Sequence, residues 1–373
     1  MAARSRTSSS TPEPPSAGAS AGSTAAAASP PTPVVRKPPK LADVAGAAGV
    51  SLATASRVLN GGDRLVGEPH RSKVLAAAEA LGYTANAQAQ AIARGTSNVV
   101  GLIVHDVTDP YFSAIADGVM REAEERGVVV VLAVTRRDPE RELEYVSTLR
   151  GQRARAVILA GTRTTNAEFN RRLAKELDAF IATGGAVAAI SQNRLGTHTV
   201  IPQNRSGARM LAHRLCDLGH ERFAVLAGPT DLLTARDRLA GFVRGLNERG
   251  IPTEDVTLVR GAFTRSGGFE AARTLLEQGQ DVTCVFAVND VMAVGAMAAF
   301  TEAGRRVPDD ISVAGFDDIA TLRDVTPRLT SVRLPLEEMG MQAARLALET
   351  GDGEPTVVKV AGEVRLRAST RKL

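Results

Sequence analysis

Leu41-Ala42-Asp43-Val44-Ala45-Gly46-Ala47-Ala48-Gly49-Val50-Ser51-Leu52-Ala53-Thr54-Ala55-Ser56-Arg57-Val58-Leu59-Asn60-Gly61 is the stretch on which the reading of this chain turns. Leu41, Val44, Ala45 and Ala48 recur at helical spacing and share one face. Gly49 follows, a residue for which a positive φ is cheap and with which helices commonly end. Val50 is an apolar plug, and Ser51 offers a side-chain oxygen to cap the next helix. Ala55, Val58 and Leu59 then return to the same core. Two short helices joined by a glycine-containing turn make a helix-turn-helix, whose second helix can enter the major groove of DNA. Its outward positions are Leu52, Ala53, Thr54, Ser56 and Arg57. Hydroxyls suit phosphates, and an arginine can donate two hydrogen bonds to guanine. By spacing alone an ordinary helical hairpin with a surface arginine fits as well.

Working outward, the 373-residue chain has room for two or three domains. Apolar residues make up 44% and aromatics 3%, so a sizeable core must be filled by Leu, Val, Ile and Ala. Charge is unevenly placed. Residues 1–39 hold Arg4, Arg6, Arg36 and Lys37 against Glu13, a net of +3. Residues 40–97 hold six Lys/Arg and four Asp/Glu, a net of +2, so with +4 overall the remainder carries −1. A positive end suits an arm and small domain that approach a polyanion, although a solvated tail has the same composition. Residues 1–39 are Ala, Ser, Pro and Thr with almost no large apolar side chain, and are expected to be disordered. Cys216 and Cys284 have no metal-like or redox-motif spacing and read as buried thiols of a reducing compartment. No apolar run approaches the roughly 18 residues of a membrane span. The N-terminus lacks a leucine-rich core, which argues against export and for a cytoplasmic protein.

After Ser97 the pattern changes. Residues 99–104, 128–134, 156–160, 187–190, 223–227, 284–288 and 311–315 read as buried strands. Helical stretches such as 111–126, 208–218 and 235–249 lie between them. Such alternation predicts an α/β fold of βαβ units with parallel sheets. About 275 residues exceed what one sheet usually holds, so two α/β lobes are expected. The predicted organisation is a tail (1–39), a helix-turn-helix domain (40–83), a hinge or linker (84–97) and a two-lobed core (98–373).

The chain resembles the LacI/GalR family of bacterial regulators. The likeness rests on Asp43-Val44-Ala45, Ala48 to Ser51, Thr54, Ser56 to Gly61, Leu81-Gly82-Tyr83 and Asn86. It continues through Val100 to Val104, Leu218-Gly219-His220, Ala235 to Phe242, Ala287 to Asp290, Val313 to Ile319, Thr326 to Val332 and Arg367 to Thr370. It covers about residues 40–373. The resemblance implies an all-α helix-turn-helix domain ahead of a periplasmic-binding-protein-like core. Residues at Leu52, Ala53 and Arg57 would read bases, and those at Ser51, Thr54, Ser56, Asn60, Tyr83 and Asn86 would help hold the DNA. Leu52 and Ala53 can sense thymine methyls but cannot form the paired hydrogen bonds of Gln or Asn. His70 stands where the family usually has Thr, and the loop 61–67 is a residue longer than usual.

Residues 86–93 resemble the family's hinge helix, which folds in the minor groove. Ala89 would allow close approach and Ile92 would be the wedge, in place of the family's Leu. Unstacking a base step costs a few kcal/mol, offset by bending and added contacts. A flexible Ala/Gln linker is the plain alternative. In the core, ligands are expected beyond the carboxyl ends of strands. The resemblance places Tyr111, Phe112, Arg238, Phe263, Asn289 and Asp317 around an effector, most often a sugar or sugar derivative. Arg238 would be a fork of donors and Asp317 an acceptor for vicinal hydroxyls. His105 is a further candidate for the cleft wall, although an ordinary loop histidine is the plainer reading. Neither a phosphate loop, nor a metal cluster, nor a nucleophile motif is legible, so neither an enzyme nor a cofactor is expected. Asp317 and Asp318 are adjacent and should point apart.

The expected protein is a DNA-binding regulator, most simply a repressor, controlled by a small-molecule effector. It would bind a pseudo-palindromic duplex as a homodimer paired along its core lobes. With three residues after Thr370, no heptad tail for a tetramer is expected. A regulator without effector response and an exported solute binder remain as alternatives. The second leaves residues 40–97 unexplained.

Overall fold

The computed structural model describes residues 38–60, 66–84, 95–349 and 353–373. The chain forms two compact units, residues 1–85 and 86–373. The first contains α1 (Leu41–Ala48), α2 (Leu52–Asn60) and α3 (Glu68–Leu81). Gly49 ends α1 with φ 64°, which lets the Val50 N–H reach back to the Ala45 carbonyl at 3.1 Å. The Ser51 hydroxyl caps α2 by accepting from the Thr54 N–H at 3.1 Å. Val44, Ala45, Ala48, Ala55, Val74 and Ala78 form the core, with Leu41, Val58, Leu59 and Tyr83 packed on it. The apolar face expected from spacing is therefore the buried face.

The second unit is α/β. Its first sheet uses β1 (Val99–Val104), β2 (Val129–Val134), β3 (Ala156–Ala160), β4 (Ala186–Ile190), β5 (His198–Pro202) and β11 (Val357–Val360). The order is β11-β5-β4-β3-β1-β2, parallel throughout. The second uses β6 (Phe223–Ala227), β7 (Thr257–Arg260), β8 (Cys284–Ala287), β9 (Ser312–Asp317), β10 (Thr330–Arg333) and β12 (Glu363–Arg365). Its order is β12-β10-β9-β8-β6-β7, with only β12 antiparallel. The strand sequence makes the chain pass from the first sheet to the second after β5 and again between β11 and β12. It passes the other way between β10 and β11. Each lobe is thus stitched from separate stretches, and the residues between sheets are the joints about which lobes can turn.

Helices cover both sheets. α4 (Pro110–Glu125) and α11 (Leu336–Glu349) cross in the first lobe. There a Cβ on Gly118 would lie 1.9 Å from the Glu337 carbonyl oxygen, and one on Gly340 2.2 Å from that of Ile115. Only glycine at both positions lets these backbones touch. One strand departs from the expected burial. β2 lies at a sheet edge, and Val129, Val131 and Leu132 are 62%, 42% and 42% exposed. Its apolar run was read as buried. Cys216 and Cys284 are free thiols, the first only half-buried. Among the described residues, no helix is long and apolar enough to cross a membrane.

Candidate effector cleft and DNA-reading face

In the first unit, Ser51, Leu52, Ala53 and Arg57 are exposed and Thr54 and Ser56 half-exposed. Leu52 is 54% exposed, and Leu75 and Leu81 of the same unit are exposed as well, at 45% and 40%. Ser51 and Thr54 share a hydroxyl–hydroxyl contact of 2.8 Å, so the cap and the second hydroxyl are held together. Tyr83 packs half-buried against the three-helix core, a structural role that the resemblance did not suggest. The side chain of Asn60 and all of Asn86, Ala89 and Ile92 lie outside the described residues, as does most of the tail.

In the second unit, all six expected effector residues line one cavity. Tyr111, Phe112, Arg238, Phe263, Asn289 and Asp317 are joined there by His105, Asp109, Arg137, Gly161, Thr162 and Thr234. Strand ends supply most of them. His105 follows β1, Arg137 follows β2, Gly161 follows β3 and Phe263 follows β7. Asn289 follows β8, and Asp317 ends β9. Asp109 caps α4 by accepting from the Tyr111 N–H at 3.0 Å. Asn289 caps α10 (Asp290–Glu302) through its Oδ1, 2.9 Å from the Met292 N–H, which leaves its amide N–H donors to the cavity.

Arg238, on α8 (Leu233–Asn247), and Asp317 form the polar floor. The guanidinium donates to both Asp317 oxygens at 2.5 and 3.1 Å. It also donates to Asn204 Oδ1 at 2.9 Å and to the Val288 carbonyl at 2.8 Å. Its plane lies over Phe316, 4.0 Å from the ring centroid. Both partners are buried, at 2% and 5% exposure. Burial pushes the Asp317 carboxyl up to about 6 although Arg238 opposes the shift. Beneath it Asp290, fully buried, accepts from Ser331 Oγ at 2.7 Å and from the Ile319 N–H at 3.0 Å. Burial, reinforced by the Asp317 charge, pushes Asp290 up to about 7.

Asp317 and Asp318 have φ of 116° and 58°, conformations that cost non-glycine residues about 1–3 kcal/mol each. They persist because each carboxylate is gripped by a different arginine. Asp318 takes two bonds from Arg367, at 2.6 and 2.8 Å. The pair therefore points apart, as the sequence led one to expect.

His105 is no ordinary loop residue. It is buried, bonds Thr135 Oγ1 at 3.0 Å and meets the Phe112 ring edge-on at 5.9 Å. Burial lowers its pKa to about 4, so it is neutral at physiological pH. Arg137 was not singled out. It sits at φ 61° after Arg136 at 54°. It reaches across to donate to the Phe263 carbonyl at 3.3 Å, with that ring 5.8 Å from its guanidinium carbon. Burial lowers its pKa, with Asp109 and Asp106 opposing. A third arginine, Arg163, is buried behind the cleft in a two-bond pair with Glu142 at 2.8 and 3.1 Å. The signal for Arg137 was available: Arg136-Arg137-Asp138-Pro139 follows a strand, where ligand-facing loops begin.

The lobes also meet along the cleft edge. Thr164 and Leu232 form an antiparallel bridge, the Thr234 N–H donates to Thr162 Oγ1 at 3.0 Å, and Gln192 donates to Thr234 Oγ1 at 3.0 Å. The enclosed space is about 40 Å³. Ligand pockets run to about 300–1,000 Å³. A sugar-sized ligand needs more room than this arrangement of the lobes leaves.

A helix-turn-helix followed by a cleft between two parallel-sheet lobes defines a DNA-binding transcriptional regulator with a binding-protein-like core. Residues 40–86 match the family described as bacterial regulatory proteins, lacI family, and residues 212–370 match the periplasmic binding protein-like domain. The chain is 35% identical over 315 residues to the HTH-type transcriptional regulator GalR of Escherichia coli K12, covering 84% of this chain and 90% of that regulator. It is 34% identical to the ribose operon repressor of the same organism, covering 80% of this chain and 89% of the repressor. Among solved structures, a lac repressor dimer bound to operator matches with a TM-score of 0.75 at 29% identity, covering 90% of this chain and all of that one. A complex of the regulator CelR with cellobiose matches at 0.64 and 31% identity, covering 89% and 99% of the two chains. The chain belongs to the LacI family.

Proposed function

We propose that this protein is a repressor whose hold on a pseudo-palindromic operator is set by a sugar or sugar derivative bound between the core lobes. The observation that carries the reading is the convergence of Tyr111, Phe112, Arg238, Phe263, Asn289 and Asp317 on one cavity, from positions up to 206 residues apart. Aromatic rings beside a fork of donors and a carboxylate acceptor suit a ring bearing vicinal hydroxyls. A cellobiose complex and a ribose complex among the solved relatives support a carbohydrate.

In this reading Ser51, Thr54, Ser56 and Asn60 hold phosphates, and Leu52, Ala53 and Arg57 address base edges. Residues 84–97, with Asn86, Ala89 and Ile92, form the hinge, and Tyr83 buttresses the reading domain before it. Residues 40–83 are the DNA-binding domain and 98–373 the effector core. The apolar β2 edge, with Val129 and Val131 exposed, supports pairing with a second copy along the core. Effector binding changes the angle between lobes, and operator affinity follows by differential affinity for the two arrangements. Such coupling is typically about 1–3 kcal/mol. The chemistry is binding rather than catalysis, and the chain acts in the cytoplasm beside its DNA.

Selection of duplexes from a random pool at moderate salt tests the first half. A recovered inverted repeat is the expected outcome; no preference over random DNA would contradict it. A thermal-shift screen with sugars tests the second half, and a DNA-binding protein that no ligand stabilises would be a regulator without effector response.

A further inference from the structure

Four charged side chains line the cavity, and their commitments differ. Arg238 and Asp317 satisfy one another with two bonds. Asp109 is committed to the Tyr111 N–H as a helix cap. Arg137 is the exception. Among the described residues, no carboxylate lies in an ion pair with it. Asp109 and Asp106 favour its charge only through space, and the Asp106 Oδ1 accepts instead from the Thr108 N–H at 2.9 Å and hydroxyl at 2.7 Å. The Arg137 Nε–H is buried and has no partner, and one terminal nitrogen donates to a neutral carbonyl at 3.3 Å. A buried donor on a charged group that goes unanswered is costly, and native structures rarely keep one without a reason.

The position is also held rather than incidental. Arg136 and Arg137 both take left-handed backbone conformations. The turn is tied by the Arg136 N–H to the His105 carbonyl at 2.9 Å, and by the Arg137 N–H to Thr135 Oγ1 at 3.2 Å. Thr135 in turn bonds the His105 ring. His105 is neutral and offers no negative charge to the guanidinium. The Phe263 ring flanks the guanidinium.

We propose that Arg137 is an oxyanion subsite of the effector cleft, so that the effector is an acidic sugar, one bearing a phosphate or a carboxylate. The proposal rests on the effector reading above and narrows it. The planar fork of Arg137 matches a carboxylate or phosphate edge in the way its unanswered Nε–H requires. The hydroxyl-bearing ring takes the Arg238–Asp317 end of the cavity, and the oxyanion takes the Arg137 end.

The test is titration calorimetry on the full chain with matched probes: glucose, glucose 6-phosphate and glucuronate; galactose and galacturonate; ribose and ribose 5-phosphate. At least one acidic member should bind about tenfold or more tightly than its neutral parent, the worth of a charge-assisted hydrogen bond. Arg137→Gln should weaken the acidic probe about tenfold or more beyond any effect on its neutral parent, and Arg137→Lys should restore part of the preference. If neutral sugars bind and their acidic partners do not bind better, the oxyanion subsite is wrong and the sugar reading stands. If Arg137→Gln weakens neutral and acidic probes equally, the residue serves lobe closure and the proposal falls. If no probe of either kind binds, the sugar reading fails and the proposal with it.

Discussion

The reading helix and the effector cleft handle polar chemistry in opposite ways. On the helix, Leu52, Ala53 and Arg57 stand exposed, and the core beneath them is six small residues with a few half-buried neighbours. In the cleft, Arg238, Asp317, Asn289 and Asp290 are all buried, and each has a partner: Arg238 and Asp317 one another, Asn289 the Met292 N–H, and Asp290 the Ser331 hydroxyl. A surface that awaits its partner can change its side chains at little cost to folding. A cleft that holds charges away from water cannot, because removing one partner leaves the other buried and unanswered. Recognition of DNA and recognition of the effector should therefore separate cleanly in their dependence on stability.

The largest expected effect breaks a buried pair. Arg238→Ala leaves Asp317 buried without its cation and should cost about 3–5 kcal/mol in chemical denaturation. A loss below about 1 kcal/mol would mean that the cleft tolerates substitution as a surface does. Next is Arg57→Ala, which should change folding stability by no more than about 0.5 kcal/mol. Its operator affinity, read by fluorescence anisotropy, should fall by about 1–3 kcal/mol if the side chain meets a base edge. Ser51→Ala sharpens the comparison, since this residue belongs to both accounts. Loss of its bond to the Thr54 N–H should cost about 1 kcal/mol of stability in the first unit.

The smallest effect concerns pH. Asp290 is raised from 3.8 to about 7 in the folded protein. A raised carboxyl contributes stability that is fully present below 3.8 and is lost as pH rises through about 7. Asp317, raised to about 6, acts in the same direction. His105, lowered to about 4, acts oppositely, but its contribution is lost only as pH falls from 6.5 towards 4. Between pH 6.5 and 8, then, the melting temperature of the wild type should fall by about 2 °C more than that of Asp290→Asn. Parallel curves would show that Asp290 does not titrate there.

The same contrast explains what the sequence made legible. The helix-turn-helix is a local object: Val44, Ala48, Gly49, Ser51 and Ala55 lie within twelve residues, and their spacing states two short packed helices, while their use on DNA came from the resemblance. The alternation of strands and helices was equally local, and 156–160 and 223–227 were read to the residue. The cleft is assembled from strand ends far apart in the chain, so its six expected residues came from resemblance and not from pattern. Sheet position was invisible as well. The valine run of β2 has the composition of a central strand, and only the strand order puts it at an edge. His105 was ranked only second as a cleft residue, and Arg137 was missed, for a related reason. Burial of a loop side chain depends on what the opposite lobe presents, and for Arg137 that is Phe263, 126 residues onward. Strands β5, β7 and β10 to β12 are three to five residues long and carry too little periodicity to be read alone.

The central claim is that occupancy of the cleft alters the hold of residues 51–60 on DNA. Operator affinity should be measured with the selected duplex at fixed salt, without ligand and with a saturating amount of the tightest-binding sugar probe. The account predicts a change of about 5-fold or more in either direction, with the operator changing the sugar's affinity by the same factor. Equal operator affinities with the cleft empty and filled would contradict it.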